Sequence, residues 1–155
     1  MKIIIVYDSL YGNTEKIAMA IKAGFVTGHE VQTFKAKDIN IRNIEEAELL
    51  IVGSPTQGGR FTEPIKIFLE KLPAKSLQDV KAATFDTSMH MEGMGSFLNS
   101  ITKLFGRASQ RIAQELEKCG TDVIGTETFI VLGKQGPLKD FEIERAREWA
   151  KGLIK

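Results

Sequence analysis

Short runs of consecutive apolar residues alternate along this chain with segments whose apolar positions recur at helical spacing, and that alternation leaves few folds open. Ile3-Ile4-Ile5-Val6-Tyr7, Leu49-Leu50-Ile51-Val52 and Ala82-Ala83-Thr84-Phe85 read as buried strands, the second ending at Gly53. Val31-Gln32-Thr33-Phe34 alternates apolar with polar, as a half-buried or edge strand does. Asp122-Val123-Ile124 and Phe129-Ile130-Val131-Leu132 read as a final, interrupted strand. Helical stripes lie between them: Ile17, Ile21 and Phe25; Ile65, Phe68, Leu69 and Leu72 between Pro64 and Pro73. A longer stripe runs through Ile101, Leu104, Phe105, Ala108, Ile112 and Leu116, and the last through Ala146, Trp149, Ala150 and Leu153. Strands that are apolar throughout must be covered on both faces. The pattern therefore predicts an α/β protein with a doubly wound five-stranded parallel sheet and helices on both faces. Ligands of such sheets bind beyond the carboxyl ends of the strands, so the segments after strands one, three and four share one edge.

A chain of 155 residues fits a single domain over 1–155. Twenty-one basic and 20 acidic side chains leave a formal charge of +1, and no basic run or stripe suggests nucleic-acid binding. No apolar stretch approaches the roughly 20 residues that span a bilayer, and Met1-Lys2 leads straight into a strand rather than a signal peptide. The expected setting is cytoplasmic, with no membrane span, and a monomer or weak dimer is expected. Cys119 is the only cysteine, which excludes an internal disulfide; at the end of a helical stripe it reads as a buried structural thiol. His29 and His90 show no metal-ligand spacing. Trp149 falls on a helix stripe and reads as core packing.

The segment Ser9-Leu10-Tyr11-Gly12-Asn13-Thr14 joins the first strand to the first helix. A turn there presents unpaired N–H groups of the helix start and the positive end of the helix dipole, which together favour an anion, most often phosphate. Gly12 permits close approach, and the hydroxyl and amide groups of Ser9, Tyr11, Asn13 and Thr14 add donors. The segment carries no Lys or Arg, so the expected grip is by neutral dipoles. The alternative is an ordinary connection capped by Asn13 or Thr14. The segment matches neither the lysine-bearing loop of nucleotide hydrolases nor the GxGxxG of dinucleotide sites.

After the third strand comes Gly53-Ser54-Pro55-Thr56-Gln57-Gly58-Gly59-Arg60-Phe61, in which Pro55 stiffens the exit and paired glycines let the main chain approach a flat polar ligand. Arg60 is expected to face solvent. After the fourth strand, Asp86-Thr87-Ser88-Met89-His90-Met91 reads as a loop whose methionines and histidine can line a polarizable pocket wall.

With these segments in place the chain resembles the flavodoxins. Residues 9–14 match that family's phosphate loop in position and residue type. Gly53-Ser54-Pro55-Thr56 with Gly58-Gly59 resembles its second flavin loop, and Gly136-Pro137-Leu138 resembles the turn before its last helix. The resemblance covers essentially the whole chain and implies the strand order 2-1-3-4-5 and FMN as cofactor. It implies that Ser9, Leu10, Tyr11, Gly12, Asn13 and Thr14 surround the phosphate. Ser54, Pro55, Thr56, Gln57, Gly58 and Gly59 would flank the isoalloxazine ring, with Asp86, Thr87, Ser88, Met89, His90 and Met91 closing its other side. The tryptophan and tyrosine that usually stack on the ring are absent from the ring-flanking loops, where Phe61, Met89, His90 and Met91 are available instead.

The resemblance further implies an electron carrier that shuttles electrons, through the flavin semiquinone and hydroquinone, between a reductase and an acceptor, neither identifiable from the chain. An FMN-dependent NAD(P)H:quinone oxidoreductase of the same superfamily is the alternative; it needs room beside the flavin that a modest loop from Asp86 does not suggest. A phosphoacceptor receiver domain shares the sheet order, and Thr87 and Lys134 stand where its chemistry requires. It fails because Gly53-Ser54-Pro55 ends the third strand where an aspartate is needed.

Overall fold

The computed structural model describes residues 1–25, 27–89 and 107–155. Within them, β1 (Lys2–Tyr7), β2 (Glu30–Lys35), β3 (Leu49–Pro55), β4 (Lys81–Met89) and β5 (Asp122–Val131) form one sheet in the order β2-β1-β3-β4-β5. Every neighbouring pair is parallel. The strands alternate with α1 (Asn13–Gly24), α2 (Glu63–Glu70), α3 (Ala108–Lys118) and α4 (Glu142–Leu153), and Ile41–Asn43 makes one 3-10 turn. The expected five-stranded, doubly wound sheet is present.

Successive side chains of a strand point to opposite faces, and here each face has its own core. Ile3, Ile5, Leu49, Ile51, Ala83 and Phe85 pack with Ile17 and Ile21 of α1 and with Ala146 and Ala150 of α4. Ile4, Val6, Leu50, Val52 and Ala82 pack on the other side with Ile65 and Phe68 of α2 and with Ile112 and Leu116 of α3. Each large side chain fully buried in this way contributes about 1.5–3 kcal/mol, which explains why β1 and β3 carry no polar residue in their centres. Trp149 belongs to the first of these cores, edge-on to Phe85 and Phe129 at centroid distances of 6.5 and 6.1 Å. Cys119 is buried at the end of α3, and burial raises its thiol pKa, with Glu115 adding to the effect. Both match their structural readings.

Three boundaries differ from the sequence expectation. β3 continues past Gly53 to Pro55, because Ser54 and Pro55 pair with Asp86 and Thr87 of β4. β4 itself runs on to Met89 rather than opening into a loop at Asp86, since Ser88 and Met89 pair with Ile130 and Val131 of β5. β5 is continuous: a register shift between Ala82 and Ala83 absorbs one extra residue, so Ala82 faces Val123 and Ala83 faces Gly125. The part of the third helical stripe at Ile101, Leu104 and Phe105 lies outside the described residues, as do His90 and Met91.

The outer edge of β5 is covered at its carboxyl end by the chain's own C-terminal segment. Glu142, almost fully buried, accepts a hydrogen bond from the Ile130 N–H at 2.6 Å, and Arg145 donates to the Thr128 carbonyl at 2.5 Å while pairing with Glu142 at 2.7 Å. The Leu132 N–H bonds to Pro137 and the Lys139 N–H to Ile130, fixing the turn that contains a cis Gly136–Pro137 peptide.

Candidate functional site

The carboxyl ends of β1, β3, β4 and β5 border a cleft of about 240 Å³. Its first wall is the β1–α1 turn. Gly12 has φ +89°, a conformation that glycine adopts without strain, and supplies no side-chain cap to α1. The leading N–H groups at Asn13 and Thr14 are thus left without a capping side chain. Ser9 is turned inward: its Oγ accepts from the Gly12 and Glu15 N–H groups at 3.1 and 3.3 Å, which shapes the turn from within. Leu10 and Tyr11 stand about half exposed on the cleft wall. The Tyr7 hydroxyl donates to Glu15 at 3.0 Å; burial and that carboxylate push the phenol to about 12. Glu15 lies with Gly12 and Lys16 in a separate depression, so its charge is kept off the cleft lining.

The floor is a pair of hydroxyls. Thr14 of α1 and Thr87 of β4 lie 2.7 Å apart, both buried and both on the lining. Pro55, Thr56 and Gln57 supply the second wall and Met89 the opposite one. Beyond Gln57 the chain reverses: Gln57 and Arg60 exchange two main-chain hydrogen bonds of 2.9 and 3.0 Å around Gly58 (φ +56°) and Gly59 (φ +76°). Positive φ at both central positions is the geometry that paired glycines allow. Arg60 is exposed, as expected.

One buried carboxylate holds this scaffold together. Asp86 is fully buried in β4, and its Oδ1 accepts from Ser109 of α3 at 2.6 Å and from Thr128 of β5 at 2.7 Å. Its Oδ2 accepts from Thr56 at 2.7 Å and from Ser88. Thr56 in turn accepts the Ala108 N–H at 3.1 Å, at the start of α3. The cleft wall at Thr56 is thereby fixed to β4, β5 and α3 at once.

Leu10, Tyr11, Asn13, Thr14, Pro55, Thr56, Gln57, Thr87 and Met89 do line the cleft. Ser54 does not: it is fully buried, donating to the Pro55 carbonyl at 2.8 Å and accepting from the Thr62 N–H at 3.1 Å. Asp86 and Ser88 belong to the supporting network instead of the lining, because a polar strand can be buried once its hydroxyls serve a carboxylate. Phe61 packs against the core under α2 and borders a groove between α2 and α3, away from the cleft. Among the described residues two more line it, Val131 and Lys134 from the end of β5 and the turn after it. Lys134 supplies the cation that the first loop lacks, and the amide of Asn13 faces that same turn, donating to the Gln135 carbonyl at 3.1 Å. The signal was present in the sequence as a turn after the fifth strand, which must emerge from the same sheet edge.

Compared with known proteins, the flavodoxin family model matches residues 5–149. The chain belongs to the flavodoxin family. A flavodoxin of Clostridium beijerinckii is 34% identical over 84 residues, 52% of this chain and 60% of that protein. A flavodoxin of Clostridium saccharobutylicum is 30% identical over 106 residues, 67% of this chain and 66% of its own. These matches span about three fifths to two thirds of the relatives' lengths. The crystal structure of oxidised Flavodoxin 2 from Bacillus cereus superposes with a TM-score of 0.76 at 24% identity, covering 99% of this chain and 97% of that one. FMN is the cofactor of the flavodoxin family, and the residues present fit it. The leading N–H groups of α1 at Asn13 and Thr14, left without a capping side chain, meet the demand of a phosphate. Leu10, Tyr11, Pro55 and Met89 offer apolar contact to a flat ring system, and Gln57 lines the same cleft with the glycine turn directly after it. Among the described residues no group of three or more His, Cys, Asp or Glu is placed to hold a metal ion. No described helix is long and apolar enough to cross a membrane.

Proposed function

We propose that this chain is an electron carrier that holds FMN in the cleft above the carboxyl ends of β1, β3 and β4 and exchanges electrons with protein partners. The observation that carries the reading is the convergence of the Asn13 and Thr14 N–H groups, left without a capping side chain, with apolar walls at Tyr11, Pro55 and Met89 around one opening. FMN, when bound, supplies reversible one-electron chemistry; the protein supplies placement, polarity and access. The N–H groups leading α1 and the hydroxyls of Thr14 and Thr87 bind the polar end of the ligand. Pro55, Thr56 and Gln57, held by Asp86, orient its ring. The Gly58-Gly59 turn lets the main chain beside the ring rotate at low cost and change which polar group it presents. Leu10, Tyr11 and Met89, each 46–48% exposed, form an apolar rim that excludes water from the ring edge yet leaves it within reach of a docked protein.

The test is an absorption spectrum of the flavin-free protein titrated with FMN, followed by stepwise chemical reduction. The expected result is a yellow complex that takes up electrons one at a time. Failure to bind FMN overturns the reading. Steady NAD(P)H consumption with a quinone by the protein alone replaces it with an oxidoreductase.

A further inference from the structure

We propose that Lys134 selects the phosphorylated flavin, by placing an ammonium group at the phosphate end of the cleft; this rests on the reading of the cleft as an FMN site. Three observations place it there. Lys134 lines the cleft together with Leu10, Tyr11, Asn13 and Thr14, and is the one charged side chain on the described lining. Its turn is fastened to the start of α1 by the 3.1 Å hydrogen bond from the Asn13 amide to the carbonyl of Gln135, the next residue. The turn also lies close against Asn13: a Cβ on Gly136, which has φ +109°, would come within 2.9 Å of the Asn13 side chain. The lysine backbone is therefore fixed within a residue of its contact with the helix start, while its exposed side chain remains free to reach.

Its charge is also available. None of the described carboxylates forms an ion pair with Lys134, and none lines the cleft. The dipole of α1 and a lysine act together on a dianion but differ in their response to salt. Contact between an exposed ammonium group and a phosphate is screened as ionic strength rises, whereas hydrogen bonds from buried N–H groups are screened less. A ligand without phosphate gains nothing from Lys134. The residue therefore governs the ratio of FMN to riboflavin affinity rather than flavin binding as such.

The experiment titrates the flavin-free chain with FMN and with riboflavin at low and high ionic strength, following quenching of flavin fluorescence, for the natural protein, Lys134→Gln and Lys134→Arg. Lys134→Gln is expected to lower FMN affinity by about three- to tenfold at low salt, leave riboflavin affinity within about twofold, and flatten the salt dependence of FMN binding. Lys134→Arg should retain the preference. An unchanged FMN to riboflavin ratio in Lys134→Gln overturns the assignment, as does an equal loss for both ligands, which would mark the lysine as a support of the turn. A natural protein that binds neither flavin overturns the proposed function itself, whereas normal FMN binding with an indifferent Lys134→Gln overturns only the role of the lysine.

Discussion

Asn13 occupies two jobs that a single substitution separates. Its N–H belongs to the leading turn of α1, while its side-chain amide donates to the Gln135 carbonyl. Asn13→Asp removes that donor, sets a carboxylate against a carbonyl, and places a negative charge where a phosphate would sit. FMN affinity is expected to fall by more than about tenfold, and riboflavin affinity by much less, in the same fluorescence titration. Asp86 contributes differently, through Thr56, Ser88, Ser109 and Thr128. Asp86→Ala leaves four buried or half-buried hydroxyls without their common acceptor. It is expected to cost about 3–5 kcal/mol in a urea denaturation and to weaken FMN and riboflavin equally, because the ring wall at Thr56 loosens while the phosphate end is untouched.

At the scale of elements, local pattern and long-range pairing explain different parts of the molecule. The first strand, the helix stripes and the phosphate turn were readable because their signals are local: consecutive apolar residues, a 3.6-residue period, a glycine before a helix. The last third of β4 was not. Asp86, Thr87 and Ser88 look like loop residues until their partners arrive from β3, β5 and α3, none of which is adjacent in sequence. Lys134 was visible as a lysine after the fifth strand, but not as a neighbour of the first turn, since the contact that brings its turn to Asn13 bridges 122 positions. The Gln57–Arg60 turn lies between these cases, legible as paired glycines but not as a turn with positive φ at both. There Gly58→Val has open space for a Cβ yet demands a backbone angle that a β-branched residue resists. It should weaken both flavins severalfold with little effect on the phosphate preference, and Gly58→Asn, which tolerates positive φ, should restore most of the loss.

At the scale of the whole molecule, the C-terminal segment decides how the sheet ends. Burial alone raises the Glu142 carboxyl, but hydrogen bonds from Arg145 and the Ile130 N–H, with the Arg145 charge, hold it below its ordinary value of 4.5. A depressed carboxyl contributes stability that is present above its ordinary pKa and is lost as pH falls through the lower, folded value. Glu142→Gln is therefore expected to lower stability by about 1–3 kcal/mol at pH 7, with the deficit shrinking as the pH is taken below about 4.5, measured as urea midpoints across the range. The same two side chains have a second effect. Parallel sheets grow whenever a border strand leaves its peptide groups free for a neighbour's backbone. With Ile130 and Thr128 already engaged by Glu142 and Arg145, the carboxyl-terminal stretch of that border keeps fewer peptide groups free for a second chain, which blunts it as a seed for fibres.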